Sequence, residues 1–121
     1  MRVRWIYGVI PVFIVESRDL QKGSGGTTNG LLIRMHPDYI NSEPHIQHEL
    51  EHARQNVRHS LTPWMRDHEL EDEIDAYRVM LRYYPLDQRD RLVREFAAAL
   101  SSPLYITTPI TYEQARMRLS A

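Results

Sequence analysis

His45-Ile46-Gln47-His48-Glu49-Leu50-Glu51-His52-Ala53-Arg54-Gln55-Asn56-Val57 is the stretch on which the reading of this chain turns. It contains neither glycine nor proline, and Ile46, Leu50, Ala53 and Val57 recur at the three- and four-residue spacing of one helix face. Asn41 or Ser42, followed by Glu43 and Pro44, is a helix-start signal, so a helix is expected to run to about His59. At about 100° per residue with His48 at zero, His52 falls at about 40°, His45 at about 60°, Asn56 at about 80° and Glu49 at about 100°. The apolar residues follow at about 140° to 200°, and Arg54, Gln47, Arg58, Glu51 and Gln55 fill the remaining arc, a separate charged sector. A helix whose histidines are gathered beside its apolar stripe has a use for them.

That use is geometric. His48 and His52 are four residues apart, so both imidazoles lie on one side of the helix and reach one metal ion. Glu49 follows the first histidine, which is where a base takes a proton from water activated at the metal. The chain has six histidines and no cysteine, so a disulfide scaffold, a thiolate zinc finger and a cysteine nucleophile are excluded. Any metal must be held by imidazole and carboxylate. His45, one turn earlier, reads as a supporting or entrance residue, and His59 lies too far along the helix to reach the same ion; an ordinary helix-surface histidine suits both.

Two histidines need a third protein ligand if zinc is to keep an open position. A second helix is expected from Thr62-Pro63 to about Tyr84, where Pro85 stops it. Its wheel puts Glu73 in the middle of the apolar stripe formed by Leu70, Ile74, Ala76, Tyr77, Met80 and Leu81. A carboxylate is expensive to bury there unless a cation or strong donor receives it. Glu71, Asp72 and Asp75 share the opposite face with Arg78 and Arg82. Glu69, one turn before Glu73, is the runner-up ligand or a supporting partner.

Outside these helices the pattern changes period. Arg2–Tyr7 alternates, with Val3, Trp5 and Tyr7 on one face, and Val12–Val15 is β-branched and aromatic; Gly8 and Pro11 imply a kinked strand or two short ones, and Trp5–Val15 is expected to be buried. Pro11 and the early charges Glu16, Arg18 and Asp19 argue against a targeting segment, and the run is too short to span a membrane. A protein of the cytoplasm is expected, with no membrane partner. Lys22–Gly30 holds four of the five glycines and reads as a loop, and Leu31–His36 alternates as a strand closed by Pro37. A third helix is expected at about Asp87–Leu100, a loop at Ser101–Pro109, and a short helix after the capping box Thr111/Gln114. With 121 residues, 42% of them hydrophobic and 26% charged, the chain is expected to form one ordered domain over residues 1–121. A net charge of −1 and the lack of a basic–aromatic stretch give no reason to expect nucleic acid. The fold class is α+β, a small N-terminal sheet followed by a helical body.

His48-Glu49-Leu50-Glu51-His52, followed after a loop by Glu73-Ile74-Asp75-Ala76-Tyr77, resembles the gluzincin pattern of HExxH and ExxA, and the small bacterial, phage-borne and ImmA/IrrE-like peptidases in particular. The resemblance covers about Leu31–Tyr84 and implies a compact zincin-like metallopeptidase fold. It implies zinc held by His48, His52 and Glu73, Glu49 as general base, and a peptide or protein substrate. It also implies that the Leu31–His36 strand pairs with an extended substrate beside the glycine loop, and Tyr77 and His45 are the nearest candidates to stabilise the oxyanion. The sequence departs from the pattern at Tyr77, where many relatives carry an aspartate that orients a ligand histidine. A non-catalytic zinc-stabilised interaction or regulatory module is the alternative.

Overall fold

The structure is a computed structural model and describes residues 1–20, 25–60, 69–102 and 109–121. Tyr7 and Gly8 both adopt positive φ and turn the chain between β1 (Arg2–Ile6) and β2 (Ile10–Glu16), which pair antiparallel with Val3 opposite Phe13 and Trp5 opposite Pro11. A second hairpin joins β3 (Gly26–Asn29) to β4 (Leu32–Met35) through Gly30-Leu31, where Gly30 takes φ 62°. β4 then pairs parallel to β2, giving the order β1-β2-β4-β3. Four helices follow: α1 (Glu43–His59), α2 (Glu69–Leu81), α3 (Leu86–Leu100) and α4 (Tyr112–Ser120). The fold is therefore α+β with the sheet first, as its periodicities imply.

Two expectations about the sheet are corrected. The Lys22–Gly30 stretch is not loop throughout: Gly26–Asn29 forms the edge strand, with Lys22, Gly23 and Ser24 outside the described residues. Gly26 is what allows it. A Cβ there would sit 2.7 Å from Met35 Sδ, 3.1 Å from the Arg34 carbonyl oxygen and 3.2 Å from Glu49 Cγ, so only glycine lets this strand approach both its neighbour and α1 so closely. Glycine content, read locally as a loop, marks a close contact.

The second correction concerns Trp5–Val15, which is buried on one face only. Val3, Trp5 and Phe13 point away from the helices and are exposed, while Ile6, Val12, Ile14, Ile33 and Met35 are buried against Ile46, Leu50 and Ala53 of α1. In β1 the polar members of the alternation face inward. Arg2 donates to the Ile40 carbonyl and Asn41, and Arg4 forms a two-pronged pair with Glu43 at 2.8 and 2.7 Å, docking the sheet edge on the start of α1.

Ser42 takes the position before α1, yet its hydroxyl lies 2.6 Å from His45 Nδ1 and makes no cap. The expected start of the second helix at Thr62-Pro63 lies outside the described residues, as does most of the Ser101–Pro109 loop. Thr111 and Gln114 do close the reciprocal capping box, at 3.1 and 3.0 Å. Ile74, Tyr77, Met80 and Leu81 of α2 pack with Leu92, Val93, Ala97 and Leu100 of α3 and with Ala115 and Leu119 of α4. This second apolar cluster is separate from that of the sheet and α1, and the two meet where α2 crosses α1. Among the described residues no helix is long and apolar enough to cross a membrane.

Candidate metal centre

The junction of α1 and α2 is where the two histidines and the glutamate converge. One ligand atom from each of His48, His52 and Glu73 lies within 4.8 Å of the others, the only such trio among the described residues. His48 Nε2 is 3.6 Å from Glu73 Oε2, and His52 Nε2 is 2.7 Å from Glu73 Oε1. Glu49 joins them from the same turn of α1, its Oε2 3.8 Å from His48 Nε2. The side chains of His48 and Glu49 are each about a tenth exposed, and those of His52 and Glu73 about a fifth. A groove of about 280 Å³ opens over them between β3 and the two helices.

The charge balance of this pocket is unusual. Two carboxylates and two imidazoles share a space largely shielded from water, where a bare carboxylate is costly. Burial by itself would lower the His52 pKa, but its hydrogen bond to Glu73 and the charges of Glu73 and Glu49 lift it to about 9. Burial would likewise raise that of Glu73, and hydrogen bonds and charge from His48 and His52 hold it well below the usual carboxylate range. In the metal-free chain a proton on His52 serves as the counter-ion.

The donor set fits a divalent metal. Ligand atoms on one tetrahedral zinc stand about 3.3 Å apart, as bond lengths of about 2.0–2.1 Å require. The His48–Glu73 separation matches this already, and the shorter His52–Glu73 contact is the hydrogen bond a cation would replace. Two nitrogen donors and one carboxylate, with a further carboxylate alongside, make a set that could hold a divalent metal ion.

Glu49 is held from the sheet. The Thr28 hydroxyl of β3 lies 3.0 Å from Glu49 Oε1 and 3.2 Å from the Glu49 carbonyl oxygen, sharing one proton between them. Sequence reasoning missed Thr28, because nothing in the spacing of a glycine-rich stretch links it to a helix twenty-one residues on. It also placed Gln55 in the charged sector, with no role at the site. Gln55 is instead 1% exposed, with Oε1 2.8 Å from His52 Nδ1 and Nε2 2.9 Å from the Asp72 carbonyl oxygen. Gln47 and Glu51 are buried with it, and Glu51 is paired to Arg54 and Arg58 at 3.2 and 2.9 Å. The burial of this arc was missed because a wheel shows composition but not what covers it, and α2 lies across this side. The i, i+3 spacing of His52 and Gln55 was the available signal.

The remaining candidates fall outside the trio. Glu69 is exposed at the first residue of α2. His45 is half-buried, stacked on Tyr39 at 4.3 Å between ring centres and paired with Ser42. His59 Nε2 lies 3.2 Å from Asp72 Oδ1, and Asp75 is exposed. Tyr77 packs its ring against the His48 imidazole at 4.6 Å and stacks on Phe96, so it backs that ring by contact where a carboxylate would by hydrogen bond. His48 Nδ1 accordingly is buried with no hydrogen-bond partner among the described residues. The expected pairing strand is also corrected: β4 is flanked by β2 and β3, so among the described residues β3 is the outer strand beside Glu49. Set against protein-family models, curated proteins and solved structures, the chain matches none of them.

Proposed function

We propose that this protein is a zinc-dependent metallopeptidase of the gluzincin type, hydrolysing peptide bonds at the α1–α2 junction. The observation that carries the reading is the meeting of His48, His52 and Glu73 in one buried trio with Glu49 beside it. His48, His52 and Glu73 would hold the ion, which when bound supplies Lewis acidity that polarises a carbonyl and makes water more acidic. Glu49, kept in place by Thr28, accepts a proton from the attacking water and returns it to the leaving amine. The outermost described strand, β3, runs past Glu49, and an extended peptide is suited to add beside it as a further strand, its backbone bonds giving affinity without a side-chain pocket.

A second reading has its own observation. The trio sits where the two apolar clusters meet, so a metal there would staple the sheet half to the helical half with no chemistry required. Glu49 separates the two, since a staple has no use for a base. Metal analysis of protein purified without added metal, alongside digestion of a proteome-derived peptide library, tests both. The catalytic reading expects about one zinc per chain, with hydrolysis abolished and zinc retained in Glu49→Gln. Equal hydrolysis by Glu49→Gln overturns the mechanism, and a fully folded chain that takes up no zinc overturns both readings.

A further inference from the structure

The amide of Gln55 has only one consistent orientation. Its Nε2 lies 2.9 Å from the Asp72 carbonyl oxygen, a group that accepts and cannot donate, so the nitrogen end must face α2. Its Oε1 therefore faces His52 Nδ1 at 2.8 Å, and an acceptor there requires the proton on Nδ1. At 1% exposure Gln55 is more buried than any other polar side chain of α1, and a buried amide is tolerated only when both ends are bonded. The two histidines are thus held differently. His52 is fixed by a directed bond through its far nitrogen, whereas His48 Nδ1 has none among the described residues and is backed by the Tyr77 ring.

We propose that Gln55 is a positioning residue of the metal centre: it keeps the proton of His52 on Nδ1, reserving the Nε2 lone pair for a cation beside Glu73. Through the Asp72 carbonyl it also sets the separation between the helix that carries the histidines and the helix that carries Glu73. This rests on the metal-centre reading and adds to it the group that selects the tautomer, a role that outer partners of ligand histidines fill in general.

The test is zinc affinity of the full chain, measured by competition with a chromophoric chelator. Gln55→Met keeps the volume and removes the acceptor, and should weaken zinc binding by about 10- to 100-fold. Gln55→Glu keeps an acceptor for Nδ1 but loses the bond to Asp72, and should stay within about threefold of the unaltered chain even where it melts earlier. A residue that only ties the helices together would give the same loss in both. Equal affinity in Gln55→Met, or equal loss in the two variants, overturns the proposal. If either variant does not fold, nitrogen-15 spectra of the unaltered zinc-loaded chain decide: His52 bound through Nε2 with a slowly exchanging Nδ1 proton supports it, and coordination through Nδ1 overturns it. Zinc binding by the unaltered chain is the first measurement, and its absence removes the metal-centre reading itself, a failure distinct from that of Gln55.

Discussion

His52 and Glu73 meet across the α1–α2 junction with Nε2 and Oε1 2.7 Å apart, a charged hydrogen bond in the position a metal would take. A cation bound there would compete with the proton for the same two atoms.

Zinc affinity should therefore depend on pH with a definite sign. His52 is held at about 9 against an ordinary 6.5, so at neutral pH the ring is protonated and binding must release that proton. Apparent affinity is expected to rise about tenfold per pH unit between about pH 7 and 8.5, then flatten above about 9. Calorimetry in buffers of different ionisation enthalpy should detect about one proton released per zinc at pH 7. An affinity that does not change across this range would contradict the competition. The metal-free chain carries the complementary dependence: the contribution of the His52 proton to stability is fully present below about 6.5 and is lost as pH rises through about 9.

Glu73→Ala should lose zinc, because it removes the carboxylate that faces both imidazoles. Asp75→Ala, an exposed position two residues along the same helix, should retain it. The metal content of the two variants, purified side by side, checks the ligand assignment, and the opposite pattern would move it.

Thr28→Val removes the hydroxyl that holds Glu49 while preserving shape and strand preference. Hydrolysis should fall by about tenfold, in line with loss of one hydrogen bond to a charged group, with zinc content unchanged. Thr28→Ser should restore most of it. Unchanged turnover in the valine variant would leave Thr28 with no part in positioning Glu49.

Gly26→Ala should destabilise the fold by about 1–3 kcal/mol, the range for overpacking a close contact. The new methyl would meet Met35 Sδ at 2.7 Å, which can move, and the Arg34 carbonyl at 3.1 Å, which cannot without shifting the strand. Glu49 Cγ at 3.2 Å is next in line, so activity should fall further than stability alone explains. Urea denaturation of the zinc-loaded variant, read with its turnover, measures both.

Most of the architecture was legible locally. Helical periodicity marked α1 to its last residue, Thr111 and Gln114 announced α4, and alternation through Leu31–His36 marked β4 as a strand. The His48/His52 pair was readable because both residues lie on one helix, where spacing in sequence is spacing in space. Glu73 was readable because burying a carboxylate in an apolar stripe is costly enough to demand a reason.

What the tertiary structure alone decided is everything that depends on two elements meeting. The charged sector of α1 was visible from composition, but that Gln47, Glu51 and Gln55 within it are buried was decided by the crossing of α2, which made Gln55 the partner of His52. The glycine stretch was a loop by composition and is an edge strand because Gly26 fits against Met35 and Glu49, which brings Thr28 to the carboxylate. Trp5 and Phe13 read as buried and face outward, since the helices cover one side of the sheet only. Periodicity determines which residues share a face, but packing between distant segments determines which face is covered, and a linear sequence states the first and not the second.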